Sequence, residues 1–174
     1  GVNTATFKLD ALLEPIAGTA NGVSGKVSFD PAAPGATTGK IVVAAETLTT
    51  TNKTMTQHLL GPDWLNVEDN PEISFEVAKL SNVKTSGTTT TADATGKFSL
   101  NGVTKEITVP VKLTYLADKL EERTKPGNKG DLLVVRSDFT VTRNDYNIQP
   151  GKNEDKVANE IAISIAIAGS APKS

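Results

Sequence analysis

The chain has 174 residues, a length typical of one domain, and we expect residues 1–174 to form a single domain with a frayed tail at 170–174. Its formal net charge of -2 gives no electrostatic reason to expect a nucleic-acid partner. Cysteine is absent, which excludes disulfides, thiolate catalysis and zinc–thiolate sites. No apolar run reaches the roughly 18 residues that a membrane-spanning helix needs, so a transmembrane segment is not expected.

Most of the chain alternates apolar and polar residues, the pattern of strands buried on one face. The ranges 18–22 and 30–39 are rich in Gly or Pro and are predicted to be a turn and a loop. Asn101-Gly102 predicts a type I′ hairpin turn, because both residues tolerate positive φ. Pro110 lacks an N–H, so we expect an edge or a bulge there.

The alternating segments predict the strands. These are Ala5–Leu13, Val23–Phe29, Lys40–Leu48, a strand that begins at Glu72, one or two strands within Val83–Leu100, Lys105–Leu116, Asp131–Arg143 and 161–168.

A short helical segment near residues 52–66 interrupts this strand pattern. Met55 and Leu59 are four residues apart and therefore share one helical face. Gly61-Pro62 is expected to end the helix. The chain's one histidine and one tryptophan both lie in this segment, which suggests that it plugs, covers or gates whatever the strands enclose.

About eight strands on consecutive hairpins can bury one face each in a sandwich or in an up-and-down barrel. Long strands with short local connections favour an all-β, eight-stranded antiparallel barrel. A barrel of this size either fills its own interior or holds one small ligand. Its inward faces would be mostly Val, Ile and Leu, since aromatic residues make up 5% of the chain.

Three segments together resemble the YceI-like family. His58-Leu59, Asp63–Leu65 and Asn70–Phe75 resemble its HL…DFFD…YPxIxF signature. Gly96–Lys105 resembles its G.LTI.G.TK hairpin, and Arg143–Ile148 is similar to its R.DFGI segment. The order and spacing of all three agree, over roughly residues 20 to 168.

The resemblance implies a lipocalin-like antiparallel barrel with a long apolar tunnel. Family members bind polyisoprenoid chains, including isoprenoid quinones and their precursors, so an isoprenoid lipid is the expected partner. Many are exported, which implies a periplasmic or otherwise exported protein, and dimerisation of some relatives suggests a homodimer. The resemblance implies no metal, no catalytic residue set and no cofactor other than a bound lipid.

Apolar side chains in the helical segment and on the strands are the candidate ligand contacts. The same faces serve a filled core equally well, so the sequence leaves these two interpretations open. The candidate ligand-binding residues are Met55, Leu59, Trp64, Leu65, Phe75, Phe98, Val109, Phe139 and Ile163.

His58 and Arg143 are candidate contacts for a ligand head group. Each also has a simpler structural interpretation: His58 as a surface or hydrogen-bonding residue, and Arg143 as an ion pair with Asp145 that holds a loop. A metal site at His58 is not expected, because the chain has no second His and no Cys to share it.

The sequence therefore predicts a non-enzymatic protein that binds a long-chain isoprenoid lipid, a polyprenyl phosphate or an isoprenoid quinone, for transport, storage or sequestration. The segment Met55–Asn66 would cover or frame the opening. One alternative is a structural or adhesion module with a filled core. Another is an enzyme acting on a lipid-like substrate, which would require an aspartate within hydrogen-bond reach of His58 inside a pocket.

Overall fold

The structure, a computed structural model, describes residues 3–12, 15–30, 32–123, 125–127, 129–149 and 158–172. In these ranges, two α-helices, α1 (Lys53–Leu60) and α2 (Leu120–Arg123), accompany the strands. The strands are β1 (Thr4–Leu9), β2 (Ile16–Ala20), β3 (Val23–Ser28), β4 (Thr38–Ala44), β5 (Thr49–Thr50), β6 (Glu72–Ser86), β7 (Thr89–Leu100), β8 (Val103–Leu116), β9 (Gly130–Thr142) and β10 (Glu160–Pro172).

Within the described residues, the ten strands belong to one antiparallel sheet, in the order β3-β4-β6-β7-β8-β9-β10-β1-β2-β5. The sheet is open, because β3 and β5 are its two end strands. It curls into a half-barrel, because residues from both of its halves pack into one core. The prediction of an antiparallel, barrel-like β fold with one short helical interruption is confirmed. The predicted number of eight strands is wrong, because the sheet also contains β2 and β5.

The range 16–20, part of which was predicted as a turn, is a strand because it pairs with β1 over five residues. Gly18 lies opposite Phe7, whose ring occupies the space where a Cβ of residue 18 would be. The glycine therefore serves a close packing contact and not a turn. The chain's end also differs from the prediction, since β10 continues to Pro172, paired with Gly130; residues 173–174 lie outside the described part.

The hairpin between β7 and β8 has the predicted geometry. Asn101 and Gly102 both have positive φ, 53° and 75°, as a type I′ turn requires. Pro110 lies where β8 and β9 separate, because their ladder begins at Lys112. Its carbonyl instead accepts a hydrogen bond from the Ser137 hydroxyl, 2.6 Å away. On the side of β9, Pro110 therefore has the edge position that was expected, whereas on the other side it pairs with Asp93 of β7 without a bulge.

Alternation along β7 shows which face of the sheet is inward. Every second residue from Thr90 to Leu100 is buried, and the residues between them are half-buried or exposed. The buried core joins strands from both halves of the sheet, from Ala5 and Leu9 on β1 to Phe98 and Leu100 on β7. Across the described ranges, no helix has the length and apolar character to cross a membrane.

Candidate ligand-binding cavity

The concave side of the sheet encloses an apolar cavity of about 270 Å³. Its lining comes from both arms of the half-barrel and from the segment that contains α1. Among the described residues, the cavity lining is apolar except for Thr6, His58, Ser74 and Arg143. The apolar ones are Ala5, Phe7, Leu9, Ile16, Ile41, Val43, Leu48, Met55, Leu59, Trp64, Leu65, Ile73, Phe75, Phe98, Leu100, Ile148, Ile161, Ile163 and Ile165.

Strand register places the lining side chains in rows across the sheet. On one wall Phe75 pairs with Ile41 on β4 and with Phe98 on β7. On the other wall Ile163 of β10 pairs with Phe7 of β1. Since side chains alternate between the faces of a strand, these partners all point to the interior. The sequence Ile161, Ile163, Ile165 supplies one branched side chain in each successive inward position of β10.

The α1 segment forms the remaining wall. The side chain of Asn52 accepts a hydrogen bond from the Met55 N–H at 3.1 Å and so caps the first turn of α1. The segment folds back on itself after the helix, since the Leu65 N–H donates to the Leu59 carbonyl at 3.0 Å. Met55, Leu59 and Trp64 remain half-buried while they line the cavity. The segment therefore covers the cavity without burying any residue of α1 completely.

Arg143 closes the cavity at the turn after β9, with 0% of its surface exposed. Its Nε donates to the carbonyl of Ala158 at 2.9 Å. One guanidinium nitrogen donates to the carbonyls of Ile148 and Gln149 at 3.2 and 3.3 Å. These bonds hold the backbone of the turn and connect it to the segment before β10, whereas Asp145 contacts Lys105 and the Thr142 hydroxyl.

The polar groups at the cavity do not form a recognisable catalytic arrangement. His58 is exposed on α1, and the ion pairs among the described residues, Lys105–Asp145 and Lys119–Glu122, do not involve it. The described residues also contain no cluster of three or more His, Asp or Glu side chains positioned to hold a metal ion. The aspartate partner that an enzyme using His58 would need is not among its described contacts.

Asn101 connects three segments around the cavity, a role that sequence reasoning missed. Its amide nitrogen donates to the carbonyls of Tyr146 and Asn147 at 3.1 and 3.2 Å. Its side-chain oxygen accepts from the Asn70 amide at 3.2 Å. The Asn-Gly pair indicated the hairpin turn, but nothing in its spacing indicated these contacts with residues more than thirty positions away.

The structure brings together seven of the nine predicted ligand-binding residues around this cavity. They are Met55, Leu59, Trp64, Leu65, Phe75, Phe98 and Ile163. Phe139 packs behind the lining, edge-to-face with Phe98 at 5.7 Å between ring centres. Val109 is buried elsewhere on β8 and is not part of the cavity lining. Contact of any of them with a ligand stays a prediction.

Fold and cavity together define a small antiparallel β protein whose single curled sheet holds an apolar interior site. The YceI-like domain model matches residues 2–168. The chain therefore belongs to the YceI-like domain family, as its three sequence motifs indicated.

Comparisons with known sequences and solved structures support this family assignment. The chain is 32% identical to a UPF0312 protein of Pseudomonas aeruginosa over 124 residues, which are 71% of this chain. The match spans 62% of that relative's length. Among solved structures, Burkholderia cenocepacia BcnA superposes with a TM-score of 0.76 at 19% identity, over 95% of each chain.

A second solved structure is described as a polyisoprenoid binding domain from Saccharophagus degradans implicated in plant cell wall breakdown. It superposes with a TM-score of 0.69 at 11% identity, covering 97% of this chain and 94% of that one. At these identities, both structures establish a shared fold.

Proposed function

We propose that this protein binds an isoprenoid lipid non-enzymatically, with the branched tail in the cavity and the head group at its opening. The observation that carries the proposal is the cavity itself, about 270 Å³ with nearly all of its lining apolar. A ligand site of this kind takes its affinity from apolar contact and its orientation from a few polar groups. The description of the Saccharophagus degradans domain as polyisoprenoid binding supports the same ligand class.

The size of the cavity bounds how much of the tail it encloses. An apolar protein cavity of about 150 Å³ encloses one benzene molecule. By the same measure, 270 Å³ encloses about ten carbons, or about two isoprene units. Burying them contributes about 8 kcal/mol at about 0.8 kcal/mol per methylene, which is comparable with the cost of association itself. Contacts with the head group and the α1 segment therefore decide whether binding is tight.

The position of the head group follows from the distribution of polar and exposed residues. His58 is the one lining residue on α1 that is exposed to solvent. Arg143, at 0% exposure, donates to the backbone carbonyls of Ile148 in its own turn and of Ala158 just before β10. We therefore place a phosphate or quinone head group beside His58, and we assign Arg143 to support of the cavity wall.

Carriage or sequestration of the lipid, in the periplasm or another exported compartment, is the role we propose for this binding. A structural module with a filled core is the second candidate, but the open cavity does not favour it.

Lipid extraction and mass spectrometry of the purified protein distinguish the lipid carrier from the structural module: an isoprenoid lipid recovered in stoichiometric amount supports carriage. Protein that carries no lipid and takes up neither polyprenyl phosphates nor quinones would point to the structural module.

A matched pair of variants on β10 tests whether the cavity is the binding site. Ile163 lines the cavity, whereas the neighbouring Ser164 points to the opposite face of the sheet. Ile163→Asn places an amide among apolar side chains, which is unfavourable without a partner, and should weaken farnesol binding at least about tenfold. Ser164→Asn should leave it unchanged. The single tryptophan, Trp64, lines the cavity and provides the fluorescence signal. Equal effects of the two substitutions would contradict the proposal.

A further inference from the structure

The cavity occupies only one end of the interior of the half-barrel. On β7 the lining consists of Leu100 and Phe98. The same strand continues inward-facing and buried through Gly96, Ala94 and Ala92, none of which lines the cavity. At about 3.3 Å per residue, the strand from Phe98 to Ala92 spans roughly 20 Å. The floor of the cavity on this wall is therefore Phe98.

The Phe98 ring is held firmly in this position. It is 3% exposed and makes edge-to-face contacts with Phe139 and Tyr146, at 5.7 and 5.4 Å between ring centres. Such pairs stabilise a defined ring orientation beyond simple burial. The ring is consequently fixed from two sides and is not free to swing out of the interior.

Beyond this ring the inward side chains of β7 become small. The side chains of Gly96, Ala94 and Ala92 contain at most one methyl group. Gly96 pairs with Val77 of β6, which in turn pairs with Gly39 of β4. The large ring thus lies between the cavity and a part of the interior that neighbouring strands fill, since the β6 backbone packs closely against Gly96 and Val109 is buried opposite Ala94.

We propose that Phe98 is a chain-length stop, a residue that limits the enclosed tail to about two isoprene units. The inference rests on the proposed function, since it specifies which isoprenoid chains that cavity accepts. Carbons beyond this limit remain at the opening beside α1, where they lose little contact with water and add little affinity. Phe98 is therefore a specificity-determining residue for tail length and does not contact the head group.

Geraniol, farnesol and geranylgeraniol, with 10, 15 and 20 carbons, test the stop by titration against Trp64 fluorescence. In the wild-type protein we expect affinity to change by less than about twofold from one alcohol to the next, because the added carbons are not enclosed. In Phe98→Ala the step from geraniol to farnesol should raise affinity at least about tenfold, because removal of the ring makes room for about one further isoprene unit, and the step to geranylgeraniol should again add less than about twofold. Phe98→Leu, which retains a buried apolar side chain, should give an intermediate gain and serves if the alanine variant fails to fold.

Phe29→Leu is the matched control. Phe29 also contacts an aromatic residue, Tyr115, at 5.9 Å, but it does not line the cavity, so the variant should keep the wild-type profile. A wild-type affinity that rises as steeply as that of the variants, or Phe98 variants that keep the wild-type plateau, would overturn the stop and leave lipid binding intact. Failure of all three alcohols to bind the wild-type protein would overturn lipid binding, and the stop with it.

Discussion

The guanidinium carbon of Arg143 lies 5.7 Å from the centre of the Trp64 ring. This cation–π contact joins the segment that covers the cavity to the turn after β9. Both residues line the cavity. The cover and the sheet are thus linked at the point where Arg143 also holds the backbone of its turn.

Replacing Arg143 should lower the free energy of unfolding more than the loss of a single surface charge would, because Arg143 donates several hydrogen bonds. Arg143→Met keeps an apolar stem but removes the donors to the carbonyls of Ala158, Ile148 and Gln149. The bond to the Ile148 carbonyl is fully buried and the other two are partly buried, and loss of a buried hydrogen-bond partner costs about 1–3 kcal/mol. We expect the free energy of unfolding to fall by about 3 kcal/mol or more, measured by urea denaturation.

Two further variants control for this effect. Arg143→Lys should recover only part of the loss, because an ammonium group cannot reproduce the planar fork of donors. Arg136→Met, at an exposed position on β9, should change stability by less than about 0.5 kcal/mol. An Arg143→Met protein as stable as this control would refute the structural role of Arg143.

Asn101→Gly separates the turn from the side-chain contacts of Asn101. Glycine accepts the positive φ of 53° at this position but lacks the bonds to Asn70, Tyr146 and Asn147. At about 0.5–1.5 kcal/mol for each hydrogen bond, the variant should lose about 2–3 kcal/mol of stability. Asn82→Gly is the comparison, since Asn82 also has positive φ but makes one described side-chain bond, to Asp93. Equal losses in the two variants would show that Asn101 acts only through its turn.

His58→Ala tests the proposed position of the head group. Because His58 is exposed beside the cavity, its removal should weaken binding of farnesyl phosphate about three- to tenfold. Farnesol binding should stay within about twofold. Gln57→Ala, at the exposed neighbouring position on α1, should affect neither ligand. Equal losses for the phosphate and the alcohol would place the head group elsewhere.

The phenol of Tyr146 should make stability depend on pH at the alkaline end. Burial raises the pKa of Tyr146 above its ordinary value of 10.0, and the negative charge of Asp145 adds to the increase. As pH rises, the phenol therefore loses its proton in the unfolded chain before it does so in the folded protein. The protonated phenol contributes its full stabilisation below about pH 10, and this contribution is lost as pH rises through the higher pKa of the folded state. Between pH 9.5 and pH 11.5, roughly the range around that ordinary value, the free energy of unfolding should fall more steeply in the wild-type protein than in Tyr146→Phe. Parallel curves would contradict the perturbed ionisation.

Local patterns were sufficient to predict most of the fold. Alternation identified the long strands, and Asn101-Gly102 identified the hairpin because positive φ is a property of those two residues. The strand Ile16–Ala20 was missed because its glycine indicates a turn locally. The Phe7 ring and the Thr49 carbonyl oxygen both lie where a Cβ of residue 18 would be, and both contacts depend on strand pairing.

The candidate site was predictable in its composition but not in its limits. Phe98, Phe139 and Val109 have similar inward positions in the sequence pattern. The structure separates them into cavity floor, support behind the floor and a buried position away from the cavity. Whether an inward side chain lines the cavity or lies beyond it depends on how the two arms of the sheet approach each other. The spacing of residues within one strand does not contain that information.

Isotope-filtered nuclear Overhauser spectroscopy of methyl-labelled protein with unlabelled farnesol tests the central claim most directly. The account predicts contacts from the prenyl methyl groups to Ile163, Ile161 and Leu59, which line the cavity. It predicts none to Ala162, which is exposed on the opposite face of β10. Bound farnesol that contacts Ala162 and not the cavity isoleucines would contradict the account.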